Sequence, residues 1–212
     1  MALASDTRPA VLLTGFGPFP GVDENASGRL VEALAHVVAK RFPQKRIVAH
    51  VLPTQWAAAP VLLGRLYDTH NPMLVLHFGV TQGVTGFSIE TQAQNKQGPH
   101  GDAIGALPRS PVMSAKGKTI LPVSIPAPEI LARLRRLAIP AQLSHDAGDY
   151  LCNCILYRSL ELANRAGVAA GFIHIPADFA SAKFDFEMAV AGGLEIVRAC
   201  LGRPVANPRP PR

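Results

Sequence analysis

Apolar residues in this chain fall into short continuous runs, separated by stretches where they recur every three or four positions. The first run, residues 11–14, flows into GFGPFPG and reads as a buried strand ending in a surface loop that carries Phe16 and Phe19. Asn25 and Ser27 supply a helix start. Leu30, Leu34, Val37 and Val38 then recur at helical spacing, which predicts a helix to about Val38. Residues 47–52 form the next strand, Ala57 to about Tyr67 a second amphipathic helix, and MLVLHFGV after Pro72 another buried strand. That alternation predicts crossover units and an α/β fold, a three-layer α/β/α sandwich around a twisted, largely parallel, mixed sheet. Ligands in such folds bind beyond the carboxyl ends of the strands, here the loops after Thr14, Leu52 and Val80.

Downstream the periodicity is looser. GFSIETQAQN at 86–95 alternates only in part and carries one acid, Glu90. Residues 97–111 are rich in Gly, Pro and polar side chains and predict a long loop. Residues 114–125 read as a hairpin arm or excursion, 128–137 as a helix with proline in its first turn, and 141–144 as a short strand. A helix then starts near Cys152, with Ile155, Leu156, Leu160 and Ala163 as its apolar positions. The strand GFIHI comes next, and a last helix spans about 184–201, weakened by Gly192-Gly193. One domain is expected over residues 1–202. The tail at 203–212, RPVANPRPPR, is too polar and proline-rich to pack and is expected to be disordered or extended.

Composition narrows the function classes. A chain of 212 residues with 48% hydrophobic content can bury a core without disulfides or metals. Three cysteines in no framework spacing point to a reducing compartment, and the CxC pair is not a redox or zinc motif. The net charge is +6, but the basic residues are dispersed and no aromatic residues alternate with them, so nucleic-acid binding is not expected. The first ten residues lack the form of a signal peptide, and no apolar run approaches the ~18 residues of a membrane span. A cytoplasmic location is expected, with no membrane partner. The GxG after the first strand continues into Pro18-Phe19, which is neither a dinucleotide fingerprint nor a P-loop.

Nucleophilic chemistry centres on residues 146–176. A sulfur at a helix start meets free backbone N–H groups and the positive end of the helix dipole, which favour a thiolate and can hold an oxyanion. Cys152 occupies such a position, although a free cysteine is more often a small buried hydrophobe. His174 ends a strand and can serve as its base; His145 competes because it is nearer in sequence. A cysteine–histidine pair usually has a third group that orients the ring, and Glu90 is a candidate. Cys154 and Cys200 read as buried structural thiols.

These residues carry a resemblance. VLLTGFGPFPG with Asn25 and Ser27, SHDAGDYLCN with its LY shortly after, GFIHIP and FSIETQAQN are similar to the motifs of type I pyroglutamyl peptidases, a family of cytosolic cysteine peptidases. The resemblance implies removal of an N-terminal pyroglutamyl residue from peptides, no cofactor and no metal, and a homo-oligomer, often a tetramer. It implies Cys152 as nucleophile, His174 as base and acid, and Glu90 on the other ring nitrogen of His174. It implies substrate-binding positions at Phe16, Phe19, Thr54, Tyr150, Leu151 and Val80. The chain departs from the family pattern at Thr91, where arginine is usual, at Gln82-Gly83-Val84, where Gly-Gly-Arg is usual, and at His100. Those departures motivate two other readings: a repurposed binding protein on the same scaffold, and a thiol hydrolase of a different amide or ester.

Overall fold

The computed structural model describes residues 6–179 and 183–202; the tail at 203–212 lies outside the described residues. The elements run β1 (Ala10–Phe16), α1 (Ala26–Arg41), β2 (Arg46–Leu52), α2 (Ala58–His70), β3 (Pro72–Thr81), β4 (Phe87–Glu90), β5 (Gln92–Gln94), β6 (Ile120–Pro122), α3 (Ala127–Arg136), β7 (Ala141–Ser144), α4 (Leu151–Ala166), β8 (Ala169–Pro176) and α5 (Phe186–Leu201). Six strands form the main sheet in the order β2-β1-β3-β8-β4-β7. The first four of these are mutually parallel; β4 runs antiparallel to β8, and β7 pairs with β4 in parallel. β5 and β6 make a separate antiparallel pair.

Both faces of the sheet are covered, which is why the central strands read as continuous apolar runs rather than alternating ones. Successive residues of one strand serve opposite cores. Leu13, Leu76 and Ile173 pack with α1, α3 and α5 through Leu30, Leu34, Ile130 and Ile196. Leu12, Val75 and Phe172 pack with α2 and α4 through Leu63, Leu66, Leu156 and Leu160. The layered α/β architecture expected from the sequence is the one observed. Gly192 and Gly193 are not weak points of α5. A Cβ on either would collide, with the Phe87 ring or with the Leu34 side chain, so the missing side chains let the helix sit close to the sheet and to α1.

Two local expectations change, and a third is filled in. β1 continues past Thr14, pairing Phe16 with Leu52, so Phe16 is a buried strand-end residue and not part of a surface loop. The partly alternating stretch 86–95 is two strands serving different sheets, because the chain leaves the main sheet after Glu90 and pairs with the excursion at 120–122. The 97–111 loop is pinned at several points. Its Asp102 carboxylate accepts from the N–H groups of Trp56, Ile104 and Ala106, Ala103 N donates to the Thr54 carbonyl, and Gly98 N donates to the Asp149 carbonyl.

Candidate active site

Loops leaving β1, β2 and β3, the end of β8 and the start of α4 meet above one end of the sheet, on the face covered by α2 and α4. Cys152 is the second residue of α4. Tyr150, the N-cap, makes no side-chain capping bond, so the first N–H groups of the helix remain available. Asn153, fully buried, fixes the helix start in place: its Oδ1 accepts from Gln94 N, and its Nδ2 donates to the carbonyls of Gln94 and Lys96.

The register of the sheet brings the other two groups to the sulfur. Ser88 of β4 lies opposite His174 of β8, so Glu90, two residues on, is a diagonal neighbour on the same face. Glu90 Oε1 and His174 Nδ1 are 2.8 Å apart, both side chains buried, and the Cys152 sulfur is near enough to act on the same imidazole. Burial alone disfavours the imidazolium. The Cys152 sulfur and the Glu90 carboxylate outweigh burial and push His174 up to about 9. Glu90 Oε2 is buried and accepts no hydrogen bond from a described residue.

On the other side of His174, Gly79 of β3 makes room for the sulfur. A Cβ at Gly79 would stand 3.0 Å from Cys152 Sγ and 2.6 Å from Phe172 Cζ, and the Phe172 ring itself rests against His174 at 4.8 Å between centroids. The competing groups are elsewhere. Cys154 and Cys200 are buried, and burial pushes both thiols up to about 12. His145 is exposed and bonds Thr91 Oγ1.

Two recesses meet at Cys152. The smaller has a cavity volume of about 40 Å³ and is lined by Phe16, Phe19, Asn25, Thr54, Val80, Tyr150, Leu151 and Cys152. Every expected substrate-binding position therefore lines this recess. Its far wall is tied together through the Gly17 carbonyl, which accepts from Asn25 Nδ2 and Thr54 Oγ1; Asn25 Oδ1 in turn accepts from Ser27. Tyr150 forms the near wall, with its ring edge-on to Trp56 at 5.2 Å and its hydroxyl donating to the Gly101 carbonyl. The larger recess has a cavity volume of about 400 Å³ and contains His174, Glu90, Ser88, Val84, Gln142, Ser144, Asp146 and Asp149. Thr91 and His100 line neither recess.

Sequence reasoning missed Gly79, Asn153 and Asp149. The strand-end pair Gly79-Val80 gives a faint signal for the first. The other two look like ordinary polar residues until the helix start and the 97–111 loop are seen together.

The sequence profile of the pyroglutamyl peptidase family matches residues 9–190. A pyrrolidone-carboxylate peptidase of Cupriavidus taiwanensis is 36% identical over 172 residues, covering 79% of this chain and 78% of that protein. One from Vibrio vulnificus is 33% identical, covering 78% and 77%. Among solved structures, a mutant pyrrolidone carboxyl peptidase from the hyperthermophile Pyrococcus furiosus superposes with a TM-score of 0.84 at 26% identity, covering 91% of this chain and 98% of that one. Motif content, the cysteine at a helix start beside a histidine–glutamate pair, and these likenesses agree: the chain belongs to the pyroglutamyl peptidase family.

Proposed function

We propose that this protein is a cysteine peptidase that hydrolyses the amide bond after an N-terminal pyroglutamyl residue. The observation that carries this reading is the meeting of Cys152, at the uncapped start of α4, with the buried His174–Glu90 pair. Cys152 attacks the pyroglutamyl carbonyl as a thiolate. The oxyanion that forms is held by the free N–H groups at the start of α4. Glu90 fixes the ring of His174 and stabilises its imidazolium, which gives a proton to the departing amine. The thioester left on Cys152 is hydrolysed by water, with neutral His174 as the base.

The smaller recess supports the choice of acyl group. It is small and narrow, and its lining has no charged residue. A flat, neutral lactam suits it, whereas a free amino terminus would leave a buried ammonium unpaired. The family's departures at Thr91 and His100 fall outside both recesses and Val84 lines only the larger one, so the smaller recess carries none of these departures, which favours retained pyroglutamyl chemistry over a repurposed binding protein.

The same reading extends to a single peptidase domain over residues 1–202, a cytoplasmic location, short pyroglutamyl peptides as substrates, and a homo-oligomer such as a tetramer. Among the described residues no helix is long and apolar enough to cross a membrane. The test is a panel of fluorogenic amides bearing pyroglutamyl and ordinary aminoacyl groups, with and without Cys152→Ala. Release from the pyroglutamyl amide alone, lost in the variant, is expected. Turnover that survives Cys152→Ala, or preference for another acyl group, would refute the proposal.

A further inference from the structure

The two recesses that share Cys152 differ in chemistry, and that difference bears on the residue beyond the scissile bond. On the pyroglutamyl-peptidase reading, the lactam fills the neutral recess, and the rest of the peptide must depart on the other side of the sulfur. His174 delivers the proton to the departing nitrogen, and His174 lines only the larger recess. The larger recess is therefore the leaving-peptide side, and its volume can hold a side chain or two.

Its lining is acidic. It contains the carboxylates of Glu90, Asp146 and Asp149 and the polar groups of Ser88, Gln142 and Ser144, against one cation, the His174 imidazolium, and no lysine or arginine, in a chain whose net charge is +6. Asp149 meets an imidazole, His100 Nε2, at 3.1 Å, and Asp146 meets Lys96 Nζ at 3.1 Å; neither partner belongs to the lining. A second observation points the same way. Glu90 Oε2, in the wall of this recess, is a buried acceptor with no donor among the described residues. A recess with a surplus of acceptors and negative charge, in contact with the group that protonates the leaving amine, favours a donor-rich cation and disfavours an anion.

We propose that the larger recess selects the residue after pyroglutamate for positive charge, so that pyroglutamyl-Lys and pyroglutamyl-Arg peptides are cleaved faster than pyroglutamyl-Glu and pyroglutamyl-Asp peptides. Asp149 and Asp146 are the specificity-determining residues. The chemical step is unchanged: the amide C–N bond breaks, and the nitrogen takes its proton from His174.

The experiment uses the full chain and a set of peptides of one length, with Lys, Ala or Glu after pyroglutamate. The order of kcat/KM is expected to be Lys, then Ala, then Glu, each step about threefold to fivefold, as for partly solvated ion pairs. The Lys-to-Glu ratio should shrink in ~0.5 M salt, where charges a few ångströms apart are screened. It should also shrink in Asp149→Asn and in Asp146→Asn, each variant referred to its own rate on the Ala peptide. Equal rates, a preference for Glu, or a ratio that neither variant moves would overturn the inference. If the Ala peptide is cut while the charge preference is absent, only the selectivity claim fails. If no pyroglutamyl peptide is cut, the proposed function fails with it.

Discussion

Replacing Gly79 with alanine adds one methyl group at a site no substrate atom need touch, yet it should disable the enzyme. The new Cβ would lie 3.0 Å from Cys152 Sγ and 2.6 Å from Phe172 Cζ. Ordinary contact begins at about 3.5–4.0 Å, so the sulfur must give by roughly 0.5–1 Å and the ring by roughly 0.9–1.4 Å. The ring cannot yield freely. It is fully buried and packs against Phe16, His77 and His174. Any shift of Phe172 is passed to the imidazole, while the methyl pushes the sulfur from the other side. A misplacement of about 1 Å between reacting groups can cost on the order of 100-fold in rate. The overpacking itself should cost about 1–3 kcal/mol of stability. The assay is kcat on the pyroglutamyl amide together with the rate of Cys152 alkylation by iodoacetamide, alongside a denaturant midpoint. The expected result is a folded protein with kcat reduced on the order of 100-fold and slower alkylation. A Gly79→Ala protein that keeps kcat and alkylates at the parent rate would refute the claim that this glycine sets the spacing of the nucleophile.

Other outcomes rest on the same geometry. Glu90→Gln keeps the shape but removes the charge that supports the His174 imidazolium, so kcat should fall by about 100- to 10,000-fold, and the pH profile of Cys152 alkylation should move. The two buried histidines tie stability to pH with opposite signs. Burial pushes His77 down to about 3, so the unfolded chain binds its proton first; stability should drop as pH falls below the unfolded value near 6.5, by about 2 kcal/mol at pH 5, and His77→Phe should flatten that acid limb in urea titrations. His174 is raised, so its contribution is fully present below about 6.5 and is lost as pH rises through about 9, an alkaline limb that Glu90→Gln should weaken. Asn153→Asp keeps the acceptor for Gln94 N but loses both donations to the carbonyls of Gln94 and Lys96; a loss of about 2–3 kcal/mol by chemical denaturation is expected, and a midpoint within error of the parent would show that the clamp is dispensable.

How much of this is legible in the sequence depends on distance along the chain. The strands β1, β3 and β8 can be read from apolar runs because burial on both faces leaves a local mark, and the edge strand β2 and the early helices from their place in the alternation and from helical spacing. The motif around Cys152 is legible for the same reason: a cysteine, a buried asparagine and an apolar helix are consecutive. Glu90 can be singled out with conviction only through resemblance. Its meeting with His174 depends on β4 running antiparallel to β8, and an antiparallel insertion in a parallel sheet leaves no local signature. Phe16 reads as exposed because Gly15 and Gly17 around it look like loop residues, whereas the pairing with β2 carries the strand two residues further. Gly79, Asp149 and the pinned 97–111 loop all depend on contacts between segments far apart in sequence, which periodicity does not record.

The bare N-terminus of α4 has a consequence for engineering. α1 and α5 are closed by Asn25 and Asp185, whose side chains accept from the helix N–H groups, whereas Tyr150 offers α4 nothing of the kind. A cap of that sort is typically worth about 1 kcal/mol, which Tyr150→Asp or Tyr150→Ser would gain against the loss of the Trp56 packing and the Gly101 hydrogen bond. Such a side chain would occupy the very N–H groups that the oxyanion needs, and would take away one wall of the lactam recess. Capping this one helix would therefore cost turnover whatever it did for stability, and the bare helix start is a feature that design for stability should leave alone.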